Sequence, residues 1–530
     1  MASTKVVVFF RNDLRVADNY CLNLASKEAA KAKERGDTVE VLPVYCFDPR
    51  NFGETEFGSP KTGAYRTRFL LECVADLRHS LQSLGSDLCV STEAPEALIP
   101  RLLQSDGDKR RHIVTCQTEV TSEEMAADEA VERSARGAGG GAEFSMQRVW
   151  GATLYHPEDM VHSIEQLPEV FTKWRTQTEA KNVPIRAPQP APAKGALPLP
   201  AKDANAAFWQ GCSAPLPTLQ DLGFAEGETG EGDPKGVLPF RGGEIAAMAR
   251  LNHYTLESDA LATYFDTRNG MLGADYSSKF SPWLAAGCVS ARAVHAACKR
   301  YEAERVANKS TYWMTFELMW RDYFKFYVAK HGARLFYPDG VHPREGHKWQ
   351  KDFSALAAWK EGRTGSPLVD ANMREIAATG FMSNRGRQNA ASYLVHDLGL
   401  DWRLGADHFE SLLLDYDVAS NWGNWHALAG LQGGRLNRFN IPKQAHQYDP
   451  DGAYVRHWCP ELARVPRQHV HAPHAMPRAL QAEVGCRVGP GGDYPAPQRT
   501  LPFSASEVGQ RHGDLGGGKR RGGRGGRRRG

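Results

Sequence analysis

"TYWMTFELMWRDYFKFYVAKHG", residues 311–332, is too long for a strand, and its aromatic and apolar residues cover every side of a helix. A helix apolar all round is a buried one. Yet Glu317, Arg321 and Asp322 sit among the rings. Buried charge is costly unless it is paired or meets a ligand. The stretch therefore predicts a large helical domain with a polar guest in its interior.

Two further segments repeat the pattern. "SNRGRQNAAS" (383–392) and "DYDVASNWGNW" (415–425) also place Arg, Asn and Asp inside apolar helical stretches. Nine of the twelve tryptophans lie between Trp283 and Trp458, so the indoles gather in the same region. Taken singly, each tryptophan reads as core. Together the three segments suit a large cofactor with a phosphate, a sugar and a hydrogen-bonding ring.

Upstream the pattern changes. Apolar runs at Val6–Phe10, Val39–Phe47, Leu88–Ser91 and Ile113–Cys116 suit strands buried on both faces. Between them, Leu70, Cys73, Leu77, Leu81 and Leu84 recur at three and four within Tyr65–Leu84, one face of an amphipathic helix. This alternation predicts an α/β, doubly wound parallel-sheet domain over residues 1–150. "GAGGG" at 137–141 lacks the spacing of a dinucleotide loop and reads as a turn. Residues 151–243 read as an interdomain linker, with six prolines in 184–200. The helical domain is expected over 244–465, and residues 466–530 are expected to be a mostly structureless tail.

The bulk composition is that of an ordinary globular chain, with 530 residues, 41% apolar and 24% charged. No apolar run is long enough for a membrane span. The ten cysteines include no C-x-x-C pair, and no metal-ligand spacing is present. The last twelve residues, "KRRGGRGGRRRG", hold seven positive charges, so removing them takes the net charge from +3 to −4. The body is not broadly basic, and any nucleic-acid surface on it must be a local patch. The RGG-type tract itself suits a sequence-tolerant contact with RNA or single-stranded DNA. A monomer is expected. The sequence assigns no compartment: chloroplast, mitochondrion and nucleus all stay open.

"VVVFFRNDLRVADN" (6–19), "DYSSKFSPWLAAGCVS" (275–290), "ELMWRDYF" (317–324) and "SNRGRQNAAS" together resemble the photolyase/cryptochrome family. "TRNGMLGADYSSKF" (267–280) and "MSNRGRQNAASYLVHDLGLDWR" (382–403) resemble its DASH group in particular. The likeness runs from about residue 5 to residue 465. It implies a photolyase-like fold whose large all-α domain holds FAD. By motif, Tyr264, Ser277, Ser278, Lys279, Phe280 and Ser281 would hold the phosphates and sugar. Arg321 would face the pyrophosphate or the ring, Arg387 and Asp415 would pair near the isoalloxazine, and Asp417 would meet its polar edge. Asn384 would lie between flavin and substrate. Asn421 would sit at flavin N5, where a neutral amide tolerates both protonation states.

The same likeness makes Trp425, Trp402 and Trp349 an electron chain from flavin to surface. It implies light-driven splitting of cyclobutane pyrimidine dimers, with Glu317 bonding a lesion base and Trp320 stacking on the flipped lesion. Ala427 and Gln388 open the pocket, which favours lesions in single-stranded or looped DNA, where unstacking costs less. Arg268, Arg385, Arg438 and Lys443 are candidate phosphate contacts. Glu119, in "CQTEVTSEE", is the candidate contact for a methenyltetrahydrofolate antenna. The alternative is a blue-light photoreceptor that signals through flavin photoreduction without repair.

Overall fold

The computed structural model describes residues 3–104, 110–138, 143–434 and 436–501. The first unit is a five-stranded, wholly parallel sheet of order β3-β2-β1-β4-β5. Its strands are β1 (Ser3–Phe10), β2 (Thr38–Cys46), β3 (Cys89–Ser91), β4 (Arg110–Gln117) and β5 (Glu143–Val149). Helices α1 (Tyr20–Glu34), α2 (Ala64–Ser83), α3 (Pro95–Leu103) and α4 (Ser122–Ala138) connect them. Val6 pairs with Val41 on one side and Ile113 on the other, and all three are fully buried. β-Branched residues suit such a two-sided strand. The four expected strands are present. The fifth, "EFSMQRV", is a half-buried edge strand, so its apolar signal is weak. On α2 the buried face runs through Phe69, Cys73, Val74, Leu77 and Leu81, while Leu70 is only partly buried.

The connecting segment is not bare. It holds α5 (Phe171–Ala180) and α6 (Ala206–Ser213). The proline-rich stretch runs across the sheet domain, with Asp18 donating to Gln189 O and Val41 to Pro198 O. Phe171 and Trp174 of α5 bury their rings against Tyr323 of the helical domain.

The helical domain comprises α7 (Glu244–Asn252), α8 (Tyr264–Thr267), α9 (Ser281–Ala285), α10 (Ala291–Glu304), α11 (Lys309–His331), α12 (Phe353–Lys360), α13 (Pro367–Thr379), α14 (Asn384–Ser392), α15 (Trp402–Leu412), α16 (Val418–Leu428), α17 (Ile441–Tyr448), α18 (Ala453–Trp458) and α19 (Arg478–Val484). The opening stretch forms most of α11. Asn308 starts that helix with a capping box shared with Thr311, and Gly332 at φ 55° ends it. The two domains are tied by a buried ion pair: Arg292 of α10 reaches Asp18 at 2.9 Å, with both side chains 2% exposed.

The expectation of a structureless tail from residue 466 fails as far as Leu501. Residues 466–501 form α19 and a strap in which buried Tyr494 donates its hydroxyl to Asp370 and Gln498 donates its backbone N–H to Thr364 O. Its apolar anchors, Val470, Met476, Cys486 and Tyr494, are too irregularly spaced to make a periodic signal. The RGG-type tract lies outside the described residues, as do Gly139–Gly141 of the expected turn.

Candidate flavin and substrate site

Two acidic residues at the start of α16 set one wall. Asp417 caps the helix, its carboxylate accepting from Ser420 N at 2.7 Å. Burial raises its pKa, but Arg321 and Lys325 outweigh burial and hold it below the usual range. Asp415 receives Arg387 Nη2 on Oδ2 at 2.8 Å. Its Oδ1 is buried with no hydrogen-bond partner among the described residues. A buried carboxylate oxygen with nothing to bond is a vacancy for an N–H donor, and the imide edge of a flavin supplies one. The Arg387–Asp415 pair expected from the motif is therefore present, with its second oxygen free.

Asn421, one turn into α16, donates Nδ2 to Ala406 O at 3.0 Å. No described group donates to its Oδ1, so the amide is oriented by α15 and keeps an acceptor to offer. Gly423 lets Phe324 approach: a Cβ there would lie 2.5 Å from that ring. Gly405 does the same for Trp425, at 2.2 Å.

The loop before α9 supplies the opposite wall. Lys279 is buried in the left-handed conformation at φ 56°, costly for a residue with a Cβ. Its ammonium lies over the Tyr276 ring and 3.5 Å from Ser277 Oγ, with no ion pair among the described residues. Burial, aided by Arg250, lowers its pKa to about 7. Across from it, burial lifts Glu375 to about 8, and Glu375 Oε1 has no hydrogen-bond partner among the described residues. A buried amine beside the serine hydroxyls of this loop suits phosphate and sugar oxygens. Arg250, which the sequence gave no reason to single out, holds this loop. Its guanidinium binds the carbonyls of Ala274, Ser277 and Ser278 and the Asp275 carboxylate. Tyr264 is buried beside Tyr254 and near Glu317. Phe280 is buried and Ser281 opens α9. Arg321 spends its guanidinium on the carbonyls of Ala152 and Leu284, so it braces the linker against α9.

Glu317, on α11, is half-buried, and burial raises its pKa against the opposing pull of Arg268 and Trp313. Trp320 is more enclosed than its expected stacking role requires. Phe171 lies on one face with ring centroids 3.6 Å apart and planes 14° apart, and Phe324 stacks at 5.6 Å. A base reaches a face of Trp320 only if one ring moves. Asn384 is exposed at the start of α14, and Gln388 is half-buried one turn later.

The basic candidates divide. Arg268 folds inward onto Phe265 O, the Trp313 ring and Glu317. Arg385 is held by Gln444 and Asn269. Arg438 is exposed but paired with Asp397 at 2.6 Å. Lys443 has no ion pair among the described residues. Glu119 meets buried Lys325 at 2.9 Å across the domain boundary, leaving Glu119 Oε1 without a hydrogen-bond partner among the described residues.

Trp425 and Trp402 are buried and Trp349 is half-buried. Trp425 packs on Phe409 at 5.1 Å and on Trp359 at 6.3 Å. Trp402 has Trp422 edge-on at 5.7 Å. Trp422, not one of the three indoles of the expected chain, is thus a direct neighbour of Trp402.

Residues 6–193 match the family model described as DNA photolyase, and residues 313–510 match the FAD binding domain of DNA photolyase. A cryptochrome DASH of Ostreococcus tauri, named as chloroplastic/mitochondrial, is 48% identical over 97% of this chain and 94% of its own length. That of Gloeobacter violaceus is 49% identical over 96% and 95%. The chain belongs to the photolyase/cryptochrome family, in its DASH group. The solved Synechocystis cryptochrome superposes with a TM-score of 0.83 at 42% identity, covering 94% of this chain and 97% of that one. This DASH-type flavoprotein therefore has the FAD-binding helical domain that the three polar segments called for. No described helix is long and apolar enough to cross a membrane.

Proposed function

We propose that this DASH-type flavoprotein repairs cyclobutane pyrimidine dimers in single-stranded or looped DNA under blue light. Glu317 is the observation that carries the reading: a carboxyl group in the wall near Tyr264, half open to solvent, where a base could meet it. Bound FAD, in its reduced form, supplies light absorption and the electron that splits the cyclobutane ring before returning.

The protein's part is to hold and orient. Tyr264, Ser277, Ser278, Lys279, Phe280 and Ser281 hold the phosphate and sugar side, and Arg321 braces that wall. Arg387 fixes Asp415, whose free Oδ1 accepts from the ring edge. Asp417 keeps the start of α16 in place, and Asn421 presents its carbonyl oxygen. Asn384 and Glu317 bind the flipped base, and Trp320 takes it after displacement of a covering ring. Trp349, Trp402 and Trp425 form the path by which an electron from the surface reaches the cofactor. Ala427 leaves the pocket open, so extraction from a duplex is poorly offset. Arg385, Arg438 and Lys443 contact phosphates. Glu119 Oε1 serves a methenyltetrahydrofolate antenna, and the RGG-type tract adds a nonspecific RNA or single-strand contact.

The test is illumination of the FAD-loaded protein with a single-stranded oligonucleotide bearing one thymine dimer. Restored thymines support the proposal. Unchanged repair in Glu317→Ala would remove its basis.

The covered faces of Trp320 favour a second reading, a photoreceptor that uses the tryptophan path without repair. Asn421→Asp would then alter light-dependent partner binding while lesion affinity stays absent.

A further inference from the structure

Trp313 stands one helical turn before Glu317 on α11, so the two side chains share a face. Its indole Nε1–H donates to Glu317 Oε1 at 2.9 Å. The second contact to this carboxyl group, Arg268 Nε at 3.8 Å, falls on the same oxygen. Glu317 Oε2 has no hydrogen-bond partner among the described residues. One oxygen is anchored and the other is offered.

The anchor is itself fixed. Phe316 stacks on Trp313 at 4.3 Å, and Phe265 meets it edge-on at 4.7 Å. The Arg268 guanidinium lies 4.7 Å from its centroid. With both neighbours in place the indole has little freedom to turn its N–H away. Indole is a donor only, so it can hold a carboxylate but cannot exchange roles with it. Aromatic spacing along α11 reads as packing alone, which is why the sequence did not single out this residue.

We propose that Trp313 is a positioning residue: it anchors Oε1 of Glu317 so that Oε2 faces the substrate and accepts the N3–H of a damaged pyrimidine. The inference rests on the repair reading of Glu317 and adds how that carboxylate is aimed. A hydrogen bond to the charged form also opposes the upward pull of burial on this carboxyl group, and so favours the ionised state that accepts.

Trp313→Phe keeps the ring and removes the donor. The measurement is dark binding of a labelled single strand with one thymine dimer, by fluorescence anisotropy, across about pH 4 to 7. Trp313→Phe should weaken binding about threefold to tenfold, the scale of one hydrogen bond. Its acid limb should move to higher pH, because losing the N–H donor raises the Glu317 pKa. Glu317→Gln should show no such limb. Normal FAD retention in Trp313→Phe establishes that the domain is folded. Coincident wild-type and Trp313→Phe limbs, with Glu317→Gln still altered, would overturn the positioning role and leave the repair reading standing. Wild-type binding by Glu317→Gln would overturn both.

Discussion

Trp349 and Trp402 donate their indole N–H groups to one and the same acceptor, the carbonyl oxygen of Pro338, at 3.0 and 3.4 Å. A half-buried indole and a fully buried one are thereby pinned to a single backbone atom. The acceptor's dipole favours positive charge on either ring, and a carbonyl cannot remove the proton.

Trp402→Phe should therefore slow light-driven reduction of bound FAD about tenfold or more, equivalent to at least about 1.4 kcal/mol of barrier. Absorbance under blue light with an external thiol reports it. Reduction at the wild-type rate would show that electrons take another route, with Trp359 and Trp422 the nearest alternatives by contact.

Asp415→Ala should loosen the cofactor. It removes the free Oδ1 and leaves Arg387 Nη2 without its partner. The loss of a charge-assisted bond is worth about 1.5–3 kcal/mol, so FAD affinity should fall by about tenfold to a hundredfold. Flavin fluorescence on dilution measures release. Retention equal to wild type would place the ring edge elsewhere.

Arg292→Ala should destabilise the whole chain. It takes from buried Asp18 its ion-pair partner, leaving the Gln189 N–H on Oδ1, and it also loses the bonds to Thr153 O and Gly151 O. Breaking one side of a buried pair costs about 3–5 kcal/mol. Denaturant unfolding of the loaded protein is the check, and a change within about 0.5 kcal/mol would refute it.

His426 sets an acid limit. Burial lowers its pKa to about 3, and Nε2 accepts from Val341 N at 3.0 Å while Nδ1 finds no hydrogen-bond partner among the described residues. The unfolded chain binds the proton at about 6.5 and the folded one at about 3, so more protons are bound on unfolding in that window. Stability is then full above about pH 6.5 and falls as pH drops, by up to about 1.4 kcal/mol per pH unit for this group. His426→Gln keeps an acceptor and should flatten that slope. An unchanged slope would mean that His426 does not carry it.

The sheet was legible because its central strands are short apolar runs with no competing period. β5 was not, because an edge strand half open to water keeps polar residues on one face. The polar residues of the proposed flavin walls were legible as a misfit, since charge inside an apolar helix needs a reason. Their partners were not: Arg250 matters through tertiary contacts, and Trp313 through a bond one helical turn along α11, and ordinary surface and core residues imitate both in sequence. The inward fold of Arg268 and the Phe171 ring on Trp320 belong to the same class. The strap over 466–501 was missed because isolated anchors without period look like a solvated tail.

The central claim is lesion repair in unpaired DNA. The most direct measurement is the initial rate of thymine restoration by the illuminated, photoreduced protein, on one oligonucleotide with a single dimer, alone and annealed to its complement. The account predicts repair of the single strand, much slower repair of the duplex, and loss of both in Glu317→Ala. No restored thymine in either, with FAD bound and reduced normally, would contradict it.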